Sequence, residues 1–133
     1  MEAAAAYILY NKKNKVLLQH RTFDAPTEPD YWGLFGGRIE KNETPEKALK
    51  REAREELGID LKKPKLFKTY IKEDEWGKQK RYVFIGLLEY PVEKLKQQQK
   101  EGIDVDLFSL DELKKIKITK SNLELLEEII KTL

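Results

Sequence analysis

The stretch Gly36–Ile59, GGRIEKNETPEKALKREAREELGI, decides how the rest of this sequence is interpreted. It begins with two glycines and a polar turn and continues as a charged segment in which leucine and alanine recur at helical spacing. Thr44 is a residue type that caps helices, Pro45 suits the first helical position, and Gly58 suits the residue that ends a helix. The stretch therefore predicts a helix that starts after Thr44 and ends at Gly58.

The predicted helix carries a group of like charges that needs an explanation. At about 100° per residue, an acidic group (Glu52, Glu55 and Glu56) lies beside an apolar stripe (Leu49, Ala53 and Leu57), with Lys47, Arg51 and Arg54 on the other side. Glutamates three or four residues apart destabilise a helix by a few tenths of a kcal/mol per pair. Solvent, basic neighbours or a bound cation can compensate. Most such clusters are solvated charged faces, but Mg²⁺ also uses carboxylate oxygens.

Length and composition limit the classes of protein to consider. A chain of 133 residues with 40% hydrophobic residues can bury one core, and we expect a single domain over residues 1–133. The formal net charge of +2 gives little reason to expect nucleic acid as a partner, and no stretch could span a membrane. The absence of cysteine excludes thiolate metal sites and thiol catalysis, and it fits a cytoplasmic location.

The remaining pattern is that of an α/β chain. Strands are predicted at Ala3–Tyr10, Val16–Arg21, Lys65–Glu73, Lys80–Tyr90 and Asp104–Phe108, and residues 22–30 read as a loop. The first two strands and the next two strands each form a hairpin-like pair. Ser109 with Glu112, and Ser121 with Glu124, have the capping-box spacing that opens a helix. The expected total is about five or six strands and three helices.

The segment from Gly37 to Ile59 also resembles a family signature. It matches that of the Nudix hydrolases: glycine, five residues, glutamate, seven residues, Arg-Glu, an aliphatic, any residue, Glu-Glu, any residue, glycine and an aliphatic. The matching residues are Gly37, Glu43, Arg51, Glu52, Ala53, Glu55, Glu56, Gly58 and Ile59. Ala53 is smaller than the usual aliphatic residue, and Phe35 stands where many members have proline. The flanks VLLQHR, YWGLFGG and EGIDVDLFSLDEL also resemble Nudix flanks, so the resemblance covers nearly the whole chain.

The resemblance implies both a fold and a chemistry. The fold is an α/β/α sandwich with a mixed β-sheet, and the chemistry is attack of water on phosphorus in a nucleoside diphosphate linked to another group. The implied cofactor is Mg²⁺, with Mn²⁺ as a substitute, and the implied ligands are the Gly37 carbonyl and the carboxylates of Glu52, Glu55 and Glu56. One of these carboxylates can serve as the base. Arg51 and Glu43 match the pair that orients them, although a simple salt bridge explains this pair equally well.

Two further residues are expected at the site. Glu101, in KEGIDVDLFSL, matches the loop from which the family supplies an additional ligand or general base, with Glu93 and Asp104 as nearby alternatives. Arg21 ends the second predicted strand, where related triphosphate-cleaving enzymes use an arginine on phosphate; a solvent-facing strand residue is the equal alternative. His20, the only histidine, is expected to be a packed or surface residue and not a catalyst, and Trp32 is expected to belong to the core, with stacking on a nucleobase as the alternative.

The sequence leaves several functions open. We expect a small-molecule nucleotide substrate, first an oxidised or ordinary nucleoside triphosphate, with ADP-ribose or a nucleotide sugar as the alternative. A Nudix-fold sensor without catalysis is a second hypothesis, which the complete set of carboxylates disfavours. A nucleic-acid binder that uses Lys47, Lys50 and Arg54 is a third, which the interposed glutamates disfavour. A homodimer is compatible with the sequence.

Overall fold

A mixed sheet of seven strands forms the middle layer of the fold, in a computed structural model that describes residues 1–133. The strands are β1 (Glu2–Tyr10), β2 (Val16–His20), β3 (Trp32–Gly33), β4 (Phe35–Arg38), β5 (Lys65–Asp74), β6 (Gly77–Leu87) and β7 (Asp104–Phe108). The helices are α1 (Pro45–Leu57), α2 (Val92–Gln98), α3 (Leu110–Leu113) and α4 (Lys120–Thr132). None of these helices has the length and apolar character that a membrane crossing requires.

Strand β1 lies at the centre of the sheet because it pairs with three other strands. It runs parallel to β6 along its whole length, from Glu2 to Tyr10. Its other edge is divided: Ala4–Tyr7 pair antiparallel with β4, and Tyr10 pairs antiparallel with Val16 of β2. The two glycines of β4 therefore lie beside the first half of β1, and α1 packs against both strands.

Helices cover both faces of the sheet because successive side chains of its strands point to opposite faces. One core layer joins the sheet to α1 and α2 and includes Tyr7, Leu17, Leu49, Phe84 and Leu95. The other joins it to α3 and α4 and includes Ile8, Leu18, Val83, Leu113 and Leu126. The predicted α/β/α sandwich with a mixed β-sheet is confirmed.

Local signals located most of the elements, with one wrong cap. Helix α1 begins and ends as predicted: the Thr44 side chain accepts a hydrogen bond from the Lys47 amide, and Gly58 adopts the left-handed conformation after the last turn. Ser109 forms the predicted capping box with Glu112. The predicted cap at Ser121 is wrong, because Thr119 caps α4 by accepting from the Asn122 amide at 3.2 Å, which leaves Ser121 inside the helix.

Three short elements are additional to the prediction. Strands β3 and β4 have two and four residues, and they exist through pairing with β2 and β1. Helix α2 follows Pro91, which lacks a side-chain cap, and buries Leu95 against the core. The chain therefore contains seven strands and four helices.

Candidate active site

Glu56 is the most unusual residue of α1, because its carboxylate is buried with only 1% of the residue exposed. The Gly36 amide donates to Glu56 Oε1 at 3.1 Å, and the Tyr7 hydroxyl donates to the same oxygen at 3.3 Å. Glu56 Oε2 is also buried but has no hydrogen-bond partner in the protein. Burial, followed by the charges of Glu101 and Glu52, raises the pKa of Glu56 to about 9. A buried oxygen without a donor is rare in proteins, and a bound water or ion is one way to satisfy it.

Glu52 lies one turn before Glu56 and is packed against β4. Its carboxylate rests on Gly37 so closely that a Cβ atom at that glycine would stand 2.4 Å from Glu52 Oε1. The absence of a side chain at Gly37 is therefore a condition for the observed position of Glu52. Burial raises the pKa of Glu52, and the nearby charges of Glu55 and Glu101 act in the same direction, whereas Arg51 opposes them.

Arg51 is the basic neighbour that compensates the crowded acidic group. It lies with the glutamates and not on the opposite side as predicted, since residues i and i+4 share a helix face. Its guanidinium donates twice to Glu43, at 2.7 and 3.0 Å, and from Nη1 to Glu52 Oε1 at 2.9 Å and Glu55 Oε2 at 3.5 Å. The hydrogen bonds from Arg51 lower the pKa of Glu43 to about 2. Arg54, in contrast, pairs with Asp60.

The donor set suits a hard divalent cation, but the carboxylates are not gathered around one point. Three observations fit a cation: the free Oε2 of Glu56, the bare backbone of Gly37 beside Glu52, and a donor set made of oxygen atoms. However, no three acidic or histidine side chains are already arranged to hold a metal ion. Arg51 holds Glu52 and Glu55, and 55% of the Glu55 side chain is exposed. The assignment of Gly37, Glu52, Glu55, Glu56 and Glu101 as ligands therefore stays a prediction.

Glu101 is the loop residue that the fold brings towards α1. It lies between α2 and β7, on a segment tied down by hydrogen bonds from the Lys100 amide to the Glu56 carbonyl and from the Ile103 amide to the His20 carbonyl. Its charge contributes to the raised pKa values of Glu56 and Glu52. The two alternatives fit less well, because Asp104 pairs with Lys96 at 2.9 Å and Glu93 belongs to α2.

A cleft of about 470 Å³ begins at the two glycines of β4. Gly36, Gly37 and Glu101 line one part of it, and Ala4 and Ala6 of β1 line another.

Arg21 also lines this cleft, directly after β2. Its Nε and Nη2 groups donate to the carbonyl and hydroxyl oxygens of Thr27, at 2.8 and 3.3 Å. The backbone of Thr27 thus steadies the guanidinium at the edge of the cleft.

A buried polar network in the cleft wall was not predicted. Lys72 forms a short salt bridge with Glu28, and both residues are more than 90% buried. Asn122 of α4 donates to Glu28 at 3.4 Å and accepts from Arg81 at 3.1 Å. Burial of an ion pair costs free energy. A buried network in the cleft wall therefore indicates a formed polar surface and not an accidental gap in packing. The sequence gave no indication of this network, because Lys72 is one of several charged residues in its strand.

His20 and Trp32 have the packing roles that the sequence indicated. Their rings stack with centroids 4.9 Å apart, and Trp32 packs edge-on against Phe108 with ring centroids 4.8 Å apart. His20 Nε2 lies 2.9 Å from Asp30 Oδ1. Trp32 packs against the core layer of α3 and α4.

The raised pKa of Glu56 predicts how the stability of the metal-free protein depends on pH. Between the ordinary value of 4.5 and the folded value of about 9, the folded state keeps a proton that the unfolded state has lost. The free energy of unfolding must therefore decrease as pH rises through this window. Glu56→Gln removes this dependence, and its advantage over wild type should grow by roughly a few kcal/mol between pH 5 and 9.

Urea unfolding in excess chelator at pH 5, 7 and 9 measures this effect. Glu55→Gln is the matched control, because it removes a charge from an exposed position on the same helix. It should follow the wild-type profile. Parallel profiles for Glu56→Gln and wild type would contradict the burial of an ionisable carboxyl at this position.

Gly37→Ala is predicted to displace Glu52 without unfolding the protein. The added Cβ meets only the end of the Glu52 side chain, which can swing away while α1 stays in place. Loss of that carboxylate from the site should weaken Mn²⁺ binding by about tenfold or more. Calorimetric titration measures the affinity, and Gly86→Ala is the control, since its Cβ would make only an ordinary 3.5 Å contact with Leu9. Equal Mn²⁺ affinity in both variants would show that the Glu52 position is unimportant.

Comparison with known proteins decides the family. The model of the NUDIX domain matches residues 1–129. The chain belongs to the Nudix family. The predicted signature in α1 and the predicted membership are thereby confirmed.

Among curated relatives, this Nudix chain is 40% identical over 65 residues to an 8-oxo-dGTP diphosphatase of Proteus vulgaris, which covers 49% of the chain and 57% of that protein. The matched segments span between about a third and just over half of the curated relatives' lengths.

Solved structures share the fold of this Nudix chain at low sequence identity. A MutT protein from Methanosarcina mazei has a TM-score of 0.79 at 22% identity, covering 96% of this chain and 91% of that protein. The NUDIX domain of Shewanella oneidensis NrtR, solved with ADP ribose, has a TM-score of 0.77 at 20% identity, covering 98% and 86%. Likeness at this level of identity shows the fold alone.

Proposed function

We propose that this Nudix protein hydrolyses a phosphoric anhydride bond in a nucleoside diphosphate-linked substrate, first of all an oxidised or ordinary nucleoside triphosphate. The observation that carries the proposal is the buried, unpartnered Oε2 of Glu56, beside Glu52 and within electrostatic range of Glu101. Glu101 lines a large cleft together with Gly36 and Gly37, the glycines that contact Glu56 and Glu52, and this arrangement suits a polyphosphate bound together with a cation. The relative from Proteus vulgaris, an 8-oxo-dGTP diphosphatase, supports the same substrate class.

The chain's own residues supply binding and orientation for this reaction. Glu52, Glu55, Glu56 and the Gly37 carbonyl would hold Mg²⁺, or Mn²⁺ in its place, as the family generally requires a divalent metal ion. When bound, the cation neutralises phosphate charge and activates a water molecule. Arg51 fixes the directions of Glu52 and Glu55, and its bidentate contact with Glu43 holds its own guanidinium in place.

Arg21 and Glu101 are proposed to complete the site from the cleft. Two of the Arg21 nitrogens are held by Thr27, which leaves Nη1 to donate to a phosphate oxygen. Glu101 is exposed and lines the same cleft, so it can approach a water molecule or a cation at the end of α1. A base must come within hydrogen-bond distance of the proton it removes, and Glu101 is the exposed carboxylate that lines the cleft.

ADP-ribose or a nucleotide sugar is the second candidate substrate. It is favoured by the likeness to the NUDIX domain of NrtR, which was solved with ADP ribose. A sensor without catalysis is less well supported, because all the carboxylates of the signature are retained. A cytoplasmic location, a homodimer and a single domain over residues 1–133 stay predictions.

A hydrolysis screen with Mg²⁺ tests the proposal. Nucleoside triphosphates, their 8-oxo forms, ADP-ribose and nucleotide sugars are supplied in turn, and the released products are separated by chromatography. We expect cleavage of a triphosphate to a monophosphate and pyrophosphate. Preferred cleavage of ADP-ribose would select the second candidate, and no cleavage of any compound would contradict an enzymatic role.

A further inference from the structure

Tyr7 is a buried ionisable residue that has no role in the reaction proposed above. It lies in β1 beneath α1, with 1% of its surface exposed, and its hydroxyl donates to Glu56 Oε1 at 3.3 Å. Phenylalanine would fill the same space without a polar group to satisfy. The buried hydroxyl group of Tyr7 therefore needs a hydrogen-bond partner. That partner is the carboxylate of Glu56, whose Oε2 has no hydrogen-bond partner of its own.

The position of the Tyr7 ring is fixed by the strand opposite. Tyr7 and Phe35 are direct partners in the antiparallel pairing of β1 with β4, and their rings stack at 5.5 Å with planes 20° apart. The next residue, Gly36, donates its amide to the same Glu56 oxygen. Two donors on adjacent strands thus hold Oε1, and the stack of Tyr7 on Phe35 restrains the tyrosine ring.

The two carboxylate oxygens of Glu56 differ in their contacts. Oε1 receives both protein donors, while Oε2 receives none, so the carboxylate cannot rotate without losing two hydrogen bonds. We propose that Tyr7 is a positioning residue whose hydroxyl fixes the Glu56 carboxylate and keeps Oε2 available to a divalent cation. This inference rests on the proposed function, because it assumes that Glu56 binds the cation.

Tyr7→Phe tests the inference with almost no change of shape. We expect the affinity of the metal-free protein for Mn²⁺, measured by calorimetry, to fall about tenfold, because residues that orient a ligand typically contribute that much. The turnover number at saturating Mg²⁺ should fall while KM for the nucleotide is kept, and the melting temperature in chelator should change little. Tyr10→Phe is the control, since Tyr10 lies in the same strand and packs against the opposite core layer.

A double-mutant cycle separates positioning through Glu56 from a general packing role. In a Glu56→Gln background, Tyr7→Phe should cause no further loss of Mn²⁺ affinity. A further tenfold loss there, or wild-type Mn²⁺ affinity in the single variant Tyr7→Phe, would overturn the inference. If wild-type protein itself bound no Mn²⁺, the proposed function would fail first and this inference with it.

Discussion

Glu56→Gln should reduce the turnover number about a thousandfold while the metal-free protein remains as stable as wild type or becomes more stable. Glutamine keeps an oxygen for the Gly36 amide and the Tyr7 hydroxyl, so the local contacts survive. What disappears is the ionisable carboxyl, whose proton the metal-free protein retains up to a pKa of about 9. If that carboxyl serves only the fold, its replacement removes the cost of burying an ionisable group with no effect on catalysis. If it holds a cation, several kcal/mol of transition-state stabilisation are lost, at about 1.4 kcal/mol per tenfold change in rate.

Two measurements on the same samples give the answer. Thermal unfolding in chelator reports the stability of the metal-free fold, and the turnover number at saturating Mg²⁺ reports catalysis. Glu55→Gln should also lose turnover but leave stability nearly unchanged, because its carboxylate is more than half exposed. Near-wild-type turnover in both variants would leave Glu55 and Glu56 without a catalytic role, as parts of a fold in which Arg51 compensates the charges of Glu52 and Glu55.

The parts of the fold that the sequence predicted are those with local signals. The cap at Thr44 and the stop at Gly58 depend on hydrogen bonds within a few residues, so their identities suffice. Strands β1 and β2 are marked by apolar runs next to a polar turn, and β7 by apolar residues that alternate with aspartate before a final apolar pair. Strands β3 and β4 carry no such pattern, because their extended shape comes from pairing partners that lie elsewhere in the chain.

The residues of the candidate site also fall into those that the sequence indicated and those that it did not. The acidic group lies on one helix and its signature is one continuous segment, so both were visible in the sequence. Tyr7 was not, since its partner Glu56 is 49 residues away and an apolar strand such as AAAAYILY gives no hint of a polar contact. Arg51 was placed on the wrong side although it is the i−4 neighbour of Glu55 and so shares a helix face with it, and its long side chain also reaches Glu52.

Removal of divalent metal should abolish turnover and leave the protein folded. The folded state has its own support: Leu49, Ala53 and Leu57 of α1 are fully buried, and Arg51 already compensates part of the acidic group. Metal binding should still raise the melting temperature, by mass action and by offsetting the repulsion that remains. Oxygen ligands without histidine or cysteine favour Mg²⁺ or Mn²⁺ over zinc, so chelation followed by Mg²⁺ should restore activity.

Turnover of the metal-stripped protein on its best nucleotide, measured as Mg²⁺ is added back, is the most direct test that the α1 glutamates bind a catalytic cation. We predict no turnover in excess chelator and a saturable return as free Mg²⁺ rises, with an unchanged near-ultraviolet circular dichroism spectrum throughout. The Glu56→Gln protein should show the same spectrum and little return of turnover. Full turnover of wild-type protein in excess chelator, or a Mg²⁺ response in Glu56→Gln equal to that of wild type, would contradict this role for the glutamates.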